Sequence, residues 1–167
     1  MTYGDNAMKY NADNFIGGKR VSSTGTNEIL IDNPQTGEII AKMICSTAQD
    51  LNDAVAIAKE AQKSWGSSTF KTRAQVFFNY RQLLQENFEE LATLCAEENG
   101  KTIPEGAAEI AKAIELCELA VSIPQTINNR TQVISNGIEC KEQKYPLGVV
   151  ASIVPLNFPV MVPHWTI

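Results

Sequence analysis

Asn157 is the residue of this chain that is best placed to bind a ligand. It lies between two prolines in the segment Pro-Leu-Asn-Phe-Pro at 155–159. Proline donates no N–H and disfavours helix at the residue before it, so this segment is predicted to form a tight loop. The Asn157 side chain brings two N–H donors and one acceptor without a net charge. It could bind a polar group of a ligand or cap a following helix, and the segment alone leaves both open.

The loop follows an apolar run that is predicted to be a strand. Residues 148–154 are small or β-branched, carry no charge and do not alternate with polar residues. This pattern is typical of a strand buried on both faces of a parallel sheet. Open α/β sheets bind their ligands at the carboxyl ends of the strands, which is where Asn157 would lie. The expected fold class is therefore α/β.

The composition is that of an ordinary globular protein. The 167 residues are 44% hydrophobic and 20% charged, with a formal net charge of −5. An acidic surface attracts neither nucleic acid nor an anionic membrane, so neither is expected as a partner. No uninterrupted run of apolar residues reaches about 18, and residues 1–14 lack the basic start and apolar block of a signal peptide. We expect a soluble, cytoplasmic protein.

The cysteines indicate neither a metal site nor a disulfide framework. Cys45, Cys95, Cys117 and Cys140 are scattered without a Cys-x-x-Cys pair, and His164 is the one imidazole of the sequence. We expect reduced, mostly buried thiols and no bound metal. His164 has no acidic residue nearby to orient it as a base, so a packing or surface role is predicted for it.

Turn residues divide the first part of the chain into short strands. Residues 1–13 are polar and are predicted to form a flexible arm. The pair Gly17-Gly18 between apolar residues predicts a tight hairpin. β-rich runs on either side of Asn33-Pro-Gln-Thr-Gly37 predict two more strands, because the proline and glycine supply the dihedral angles that a chain reversal needs.

Capping patterns predict the starts of helices between residues 47 and 124. Thr47 with Asp50, and Thr102 with Glu105, match the capping box, in which each side chain bonds to the other residue's N–H. Apolar residues at helical spacing follow both pairs.

Two further helix ends are predicted between these boxes. A second helix is predicted to begin near residues 70–72. A bend near Glu86 separates it from a third helix, to which Asn87 with Glu90 offers an N-terminal cap. Asn99-Gly100 has the residues of a left-handed cap that closes the third helix.

Side chains on these helices are predicted to follow ordinary patterns of burial. Trp65, Tyr80 and Phe88 are interpreted as core residues. The acidic residues are predicted to form a solvated face, because most lie off the apolar stripes and have lysines at helical spacing. They are Glu97, Glu98, Glu105, Glu109, Glu115 and Glu118.

Residues 130–145 are predicted to form a two-stranded ribbon. Asn136-Gly137 between alternating segments is a strong hairpin signal. Neither face of the ribbon is apolar enough to be a core wall, and an isolated ribbon is marginal in water. It is therefore predicted to pack on another subunit or another domain.

Three of these motifs resemble the aldehyde dehydrogenase superfamily. They are a strand ending in Pro-x-Asn-Phe-Pro, the turn Asn-Pro-x-Thr-Gly near the start, and Glu-x-Gly-Lys at 98–101 between two helices. The asparagine within the last motif, together with Ile110-x-x-x-Ile114-Glu115, looks most like the methylmalonate-semialdehyde dehydrogenase branch.

The resemblance implies roles for the loop and its neighbours. Asn157 corresponds to a side-chain amide that donates to the oxyanion of a thiohemiacetal, and Val154, Pro155 and Leu156 to backbone lining the site of the cofactor NAD. The family usually has an aromatic residue at the position of Leu156. The implied reaction oxidises a small semialdehyde to an acyl-CoA with coenzyme A as co-substrate, in a homo-oligomer joined through the ribbon at 130–145.

The resemblance matches only the amino-terminal third or so of such an enzyme. It implies an arm at 1–13, hairpins and a helix cluster at 14–129, the oligomerisation ribbon at 130–145, and the first strand and loop of an incomplete Rossmann-type cofactor sheet at 146–167. None of the four cysteines matches the family's nucleophile motif, so we expect this fragment to be inactive alone. A dehydrogenase that releases a free acid, and a catalytically silent fragment acting through subunit contacts, remain open as alternatives.

Overall fold

The structure, a computed structural model, describes residues 8–167. Residues 1–7 of the predicted arm lie outside the described part of the chain. The elements in chain order are β1 (Asn14–Ile16), β2 (Lys19–Val21), β3 (Glu28–Asp32), β4 (Ile39–Ile44), α1 (Ala48–Ser67), α2 (Phe70–Glu86), α3 (Phe88–Asn99), α4 (Ile103–Thr126), β5 (Arg130–Ser135), β6 (Ile138–Glu142) and a 3₁₀ turn (Pro163–Trp165).

The strands form three separate antiparallel hairpins, β1–β2, β3–β4 and β5–β6. Gly17 and Gly18 both adopt positive φ angles, 60° and 76°, which confirms the tight turn predicted for that pair. The turn between β3 and β4 is closed by the Asn33 carbonyl, which accepts from the N–H groups of Thr36 and Gly37.

Both predicted capping boxes are present. The Thr47 side chain accepts from the Asp50 N–H while the Asp50 carboxylate accepts from the Thr47 N–H, and Thr102 and Glu105 make the same pair of bonds at the start of α4. Gly100 ends α3 with φ 75°, as the Asn-Gly pair predicts.

The predicted cap of α3 by Asn87 is wrong. The Asn87 side chain makes no capping bond to α3, and its amide instead donates to the Leu83 carbonyl at 2.8 Å. Asn87 therefore satisfies a carbonyl at the end of α2, and the predicted break between the two helices lies at this residue.

Helix α4 is the centre of the helix cluster, because it packs against both α2 and α3. Its buried residues Ile110, Ala113 and Cys117 are at most 2% exposed, and Leu84 of α2 packs with Ala113 and Cys117. Gly106 lets α4 approach α3, since a Cβ there would lie 2.5 Å from the Ala92 carbonyl oxygen. Tyr80 and Phe77 pack at the edge of this core, whereas Trp65, predicted as a core residue, is 39% exposed.

The ribbon β5–β6 turns at Asn136-Gly137 as predicted, with Gly137 at φ 76°. Every residue of both strands is exposed. The ribbon thus contributes nothing to the helical core of the described chain.

The predicted buried strand at 148–154 differs from the structure. No described strand pairs with this segment, and Val150 and Ile153 are 64% and 102% exposed. An apolar segment becomes a buried strand only when neighbouring strands and covering helices are present, and sequence pattern alone reports only its suitability for that environment. Among residues 8–167, no helix is long and apolar enough to cross a membrane.

Candidate active site

The chain from Leu156 to Val162 makes a series of turns, as the two flanking prolines predict. A 3₁₀ turn at Pro163–Trp165 follows. We call residues 156–161, which carry Asn157, the site loop.

Side chains at the junction of α3 and α4 hold the first half of the site loop by its carbonyl groups. The Asn99 amide donates to the Leu156 carbonyl at 2.9 Å, and the Lys101 ammonium donates to the Asn157 carbonyl at 2.5 Å. The Lys101 ammonium also lies 4.6 Å from the centroid of the Phe158 ring, within the range of a cation–π contact.

Glu109 of α4 holds the second half of the loop by its N–H groups. Its Oε2 accepts from the Val160 and Met161 N–H groups at 3.0 and 3.1 Å, and its Oε1 pairs with the Lys101 ammonium. The residue is only 4% exposed. The prediction of a solvated Glu109 is therefore wrong, since a buried carboxylate is stable when ion-paired and hydrogen-bonded in this way.

These contacts set the ionisation of Glu109. Burial is the largest single influence and favours the neutral acid, but the Lys101 ammonium and the N–H groups of Val160 and Met161 together hold its pKa below the usual value. Glu109 is thus a buried carboxylate at neutral pH.

The Asn157 side chain is exposed, and no hydrogen bond joins it to any residue among 8–167. The alternative that it caps the next helix finds no support here, because the next helical turn begins at Pro163 and its capping position is Val162. The loop therefore fixes the backbone of Asn157 through Lys101 and leaves the side-chain amide exposed to solvent.

Val154, Pro155 and Leu156 lead directly into Asn157. Val154 is half-buried, Pro155 is exposed, and the Leu156 side chain is 70% exposed. Together they form an uncharged apolar surface beside the Asn157 amide.

A shallow hollow borders Asn157 on the α4 side. Its walls include Lys101, Glu105, Glu109, Lys112, Phe158 and Met161. The Lys112 side chain is 46% exposed and pairs with Glu115, which is itself 59% exposed. Because Lys101 is committed to Glu109 and the loop backbone, Lys112 is the more accessible cation at this hollow.

His164 packs behind the loop. Its ring stacks on Tyr80, and its Nδ1 lies 2.6 Å from the Val160 carbonyl. This contact agrees with the packing role predicted for it.

Two of the four cysteines are poorly suited to act as nucleophiles. Cys95 and Cys117 are buried, and burial raises the pKa of both thiols. A nucleophilic cysteine needs the opposite shift, toward the thiolate. Among residues 8–167, no group of three His, Cys, Asp or Glu could hold a metal ion.

Comparison with known proteins identifies the family to which this loop and helix cluster belong. The model of the aldehyde dehydrogenase family matches residues 21–167. The chain therefore belongs to the aldehyde dehydrogenase family.

Within this family, the chain is similar to malonate-semialdehyde dehydrogenases. Malonate-semialdehyde dehydrogenase 2 of Geobacillus thermodenitrificans is 46% identical over 153 residues, which cover 91% of this chain and 32% of the relative. Malonate-semialdehyde dehydrogenase 1 of the same organism is 44% identical over 166 residues, covering 99% of this chain and 34% of the relative. The chain spans about a third of the length of these relatives.

A solved structure shares the fold of nearly the whole chain. It is a protein from Sinorhizobium meliloti 1021, assigned as a methylmalonate-semialdehyde dehydrogenase and complexed with NAD, which is 37% identical with a TM-score of 0.89. The match covers 96% of this chain and 33% of that protein.

Glu109 is the site residue that sequence reasoning missed. It lies three residues after Gly106 and four before Ala113, both buried, so helical spacing places it on the apolar stripe of α4. An acidic residue at such a position needs a buried partner, and Lys101 precedes the same helix.

Proposed function

We propose that this chain takes part in the NAD-dependent oxidation of a malonate-type semialdehyde to an acyl-CoA, with Asn157 as an oxyanion donor. Its membership of the aldehyde dehydrogenase family supports an oxidation of an aldehyde. The names of the relatives support a semialdehyde substrate, and the NAD complex of the similar structure supports the cofactor. The acyl-CoA product follows from the resemblance to the methylmalonate-semialdehyde dehydrogenase branch.

The observation that carries the proposal is the state of Asn157. Its carbonyl is bonded to Lys101 at 2.5 Å, while its side-chain amide is exposed and makes no bond to a described residue. An amide on a fixed backbone can meet a developing negative charge without reorganising, which is what oxyanion stabilisation requires. When a thiolate attacks an aldehyde, the carbonyl oxygen gains that charge.

The residues before Asn157 fit a nicotinamide ring. Leu156 is apolar and 70% exposed, and no charged residue occurs at 145–163, so a flat uncharged ring can pack there. NAD, when bound, accepts the hydride that leaves the aldehyde carbon. This chain contributes the apolar surface of Val154, Pro155 and Leu156, which excludes water from one side of that ring.

The hollow beside Asn157 fits an aldehyde that carries a carboxylate. Lys112 lies on its wall, and its ion-pair partner among residues 8–167 is the exposed Glu115. An exposed pair of this kind exchanges partners readily, so the Lys112 ammonium can bind the carboxylate of a semialdehyde.

Oligomerisation through the ribbon β5–β6 belongs to the same proposal. All residues of both strands are exposed, and a two-stranded ribbon without a packing partner is marginal in water. Replacing an exposed apolar residue of the ribbon by a charged one, as in Val133→Lys, should weaken this contact. Sedimentation velocity should then show fewer subunits per particle.

A chimeric enzyme tests the activity. The 153-residue segment of malonate-semialdehyde dehydrogenase 2 that aligns with this chain is replaced by the corresponding segment of this chain. NADH formation from malonate semialdehyde and coenzyme A, with an acyl-CoA product, is the expected result. A folded chimera without turnover would contradict the proposal, and release of free acid would favour the non-acylating alternative. The 167-residue chain alone is expected to form no NADH, since none of its four cysteines matches the nucleophile motif of the family.

A further inference from the structure

Both halves of the site loop are hydrogen-bonded to the ion pair formed by Lys101 and Glu109. Lys101 donates to the Asn157 carbonyl, and Glu109 accepts from the N–H groups of Val160 and Met161. The two side chains are also bonded to each other. We propose that Lys101 and Glu109 are positioning residues, which set the location of the Asn157 amide for catalysis. The catalytic part of this inference rests on the proposed role of Asn157.

Both charged side chains are largely shielded from solvent and are held by several hydrogen bonds. Glu109 is 4% exposed, and the Lys101 side chain is 18% exposed. The two Glu109 oxygens together accept from the Lys101 ammonium and two backbone N–H groups, and the Cys95 thiol lies 3.9 Å from Oε1. A buried carboxylate with all of these partners is stable only while the loop stays in place, so the loop and the ion pair hold each other.

The backbone around Lys101 makes its position rigid. Gly100 ends α3 in the left-handed region at φ 75°, and Thr102 caps α4 immediately after. Lys101 is therefore confined to a junction between two helix ends. A side chain other than glycine at position 100 would be strained, and its Cβ would lie 3.0 Å from Pro34.

Asn157 lies between the two points of attachment. Asn99 fixes the preceding carbonyl of Leu156, Lys101 fixes the carbonyl of Asn157 itself, and Glu109 fixes the N–H groups that follow. A shift of the loop by a fraction of an ångström would move the amide from the oxyanion without removing any residue that binds the substrate. Loss of the ion pair should therefore lower kcat more than it changes KM.

Hydrogen exchange in the 167-residue chain tests the structural half of the inference. In Glu109→Gln, the amides of Val160 and Met161 should exchange about 10- to 100-fold faster than in the unaltered chain, because a neutral amide accepts more weakly than a carboxylate. Glu98→Gln is the matched control. It makes the same substitution at an exposed carboxylate of α3, and Glu98 makes no hydrogen bond to the described residues of the site loop. Unchanged exchange at Val160 and Met161 in Glu109→Gln would overturn the inference. Should that variant fail to fold, Glu109→Asp, which keeps the charge but shortens the side chain, allows the same comparison.

Kinetics of the chimeric enzyme test the catalytic half. Glu109→Gln and Lys101→Met should each lower kcat about tenfold or more with little change in KM, and Lys101→Arg, which keeps the charge and the donors, should restore most of the loss. If the ion pair acts through Asn157, adding Glu109→Gln to Asn157→Ala should lower kcat no further. Effects that multiply fully would overturn the inference.

The two proposals fail in different ways. An Asn157→Ala enzyme with unchanged kcat would refute the oxyanion role of Asn157, and with it the catalytic half of the inference. The exchange rates of Val160 and Met161 do not depend on turnover, so they decide separately whether Glu109 holds the loop.

Discussion

The phenol ring of Tyr80 and the imidazole of His164 lie stacked, with 5.6 Å between ring centroids and 8° between their planes. The Tyr80 hydroxyl is 2.8 Å from Nε2 of His164. The Val160 carbonyl near Nδ1 can only accept, so Nδ1–H donates to it, and Nε2 is the ring nitrogen that bonds to the Tyr80 hydroxyl. This pair joins α2 to the chain that follows the site loop.

Tyr80→Phe removes that hydrogen bond and keeps the ring. The free energy of unfolding should fall by about 0.5–1.5 kcal/mol, the usual contribution of one hydrogen bond. Denaturant unfolding measures it. Tyr145→Phe is the control, because the Tyr145 ring is 76% exposed and its hydroxyl bonds only to Gln143 nearby. Equal effects of the two substitutions would show that the Tyr80–His164 bond contributes nothing.

Asn157→Ala should lower kcat of the chimeric enzyme by about 10²–10³, the loss found when one oxyanion donor is removed. Substrate binding should change little, because the donor acts on charge that develops in the transition state. Steady-state kinetics measure kcat and KM, and the thermal midpoint of each variant shows whether it is folded.

Asn157→Asp separates this role from helix capping. A carboxylate caps a helix well but donates no hydrogen bond and repels an oxyanion. The variant should therefore be stable and nearly inactive. If the Asn157→Asp enzyme is instead stable and fully active, Asn157 has no part in the mechanism.

Lys112→Met should raise KM for malonate semialdehyde about two- to fivefold, the range of an exposed ion pair. The reason is the loss of the accessible cation at the hollow beside Asn157. Propanal, which has the same length without the carboxylate, should show no such change. If KM rises equally for both aldehydes, Lys112 does not bind the carboxylate.

Asp50 makes stability sensitive to acid. The Thr47 N–H lowers its pKa from 3.8 to about 2, against the opposing effect of burial, and Thr24 adds further bonds. Because the folded pKa lies below the unfolded one, the stabilisation is fully present above about pH 4 and is lost as the pH falls toward 2.

Asp50→Asn should therefore lower the thermal midpoint at neutral pH and flatten its decline between pH 4 and 2. The decline should not vanish, since the pKa values of Glu97, Glu105 and Glu109 are also lowered. Asp53→Asn is the control on the same helix, because within the described part of the chain Asp53 accepts one side-chain hydrogen bond, from Gln49. A pH profile of Asp50→Asn that parallels the unaltered chain would exclude Asp50 as a source of acid sensitivity.

Local chemistry explains which parts of the fold could be predicted. The capping boxes at Thr47 and Thr102, the left-handed Gly100 and the Gly17-Gly18 turn depend on neighbours within a few residues, so the sequence pattern is sufficient. The position of Asn157 in a loop follows from its two prolines for the same reason.

The remaining features depend on residues far apart in the chain. Burial of Glu109 is explained by N–H groups 51 and 52 positions later, which no local pattern reveals. The segment 148–154 has the composition of a buried strand, but its conformation depends on neighbours that local composition does not specify.

The hydrogen bonds from Asn99, Lys101 and Glu109 to the site loop all end on main-chain atoms, while Lys101 also contacts the Phe158 ring. Every residue type except proline supplies the same main-chain N–H, and every type supplies the same carbonyl. Side chains at 156 and 161 can therefore be exchanged without altering the path of the loop. The anchorage of this loop thus does not depend on its side chains at 156 and 161, so new aldehyde preferences could arise by substitution at these positions while Lys101 and Glu109 keep Asn157 in place.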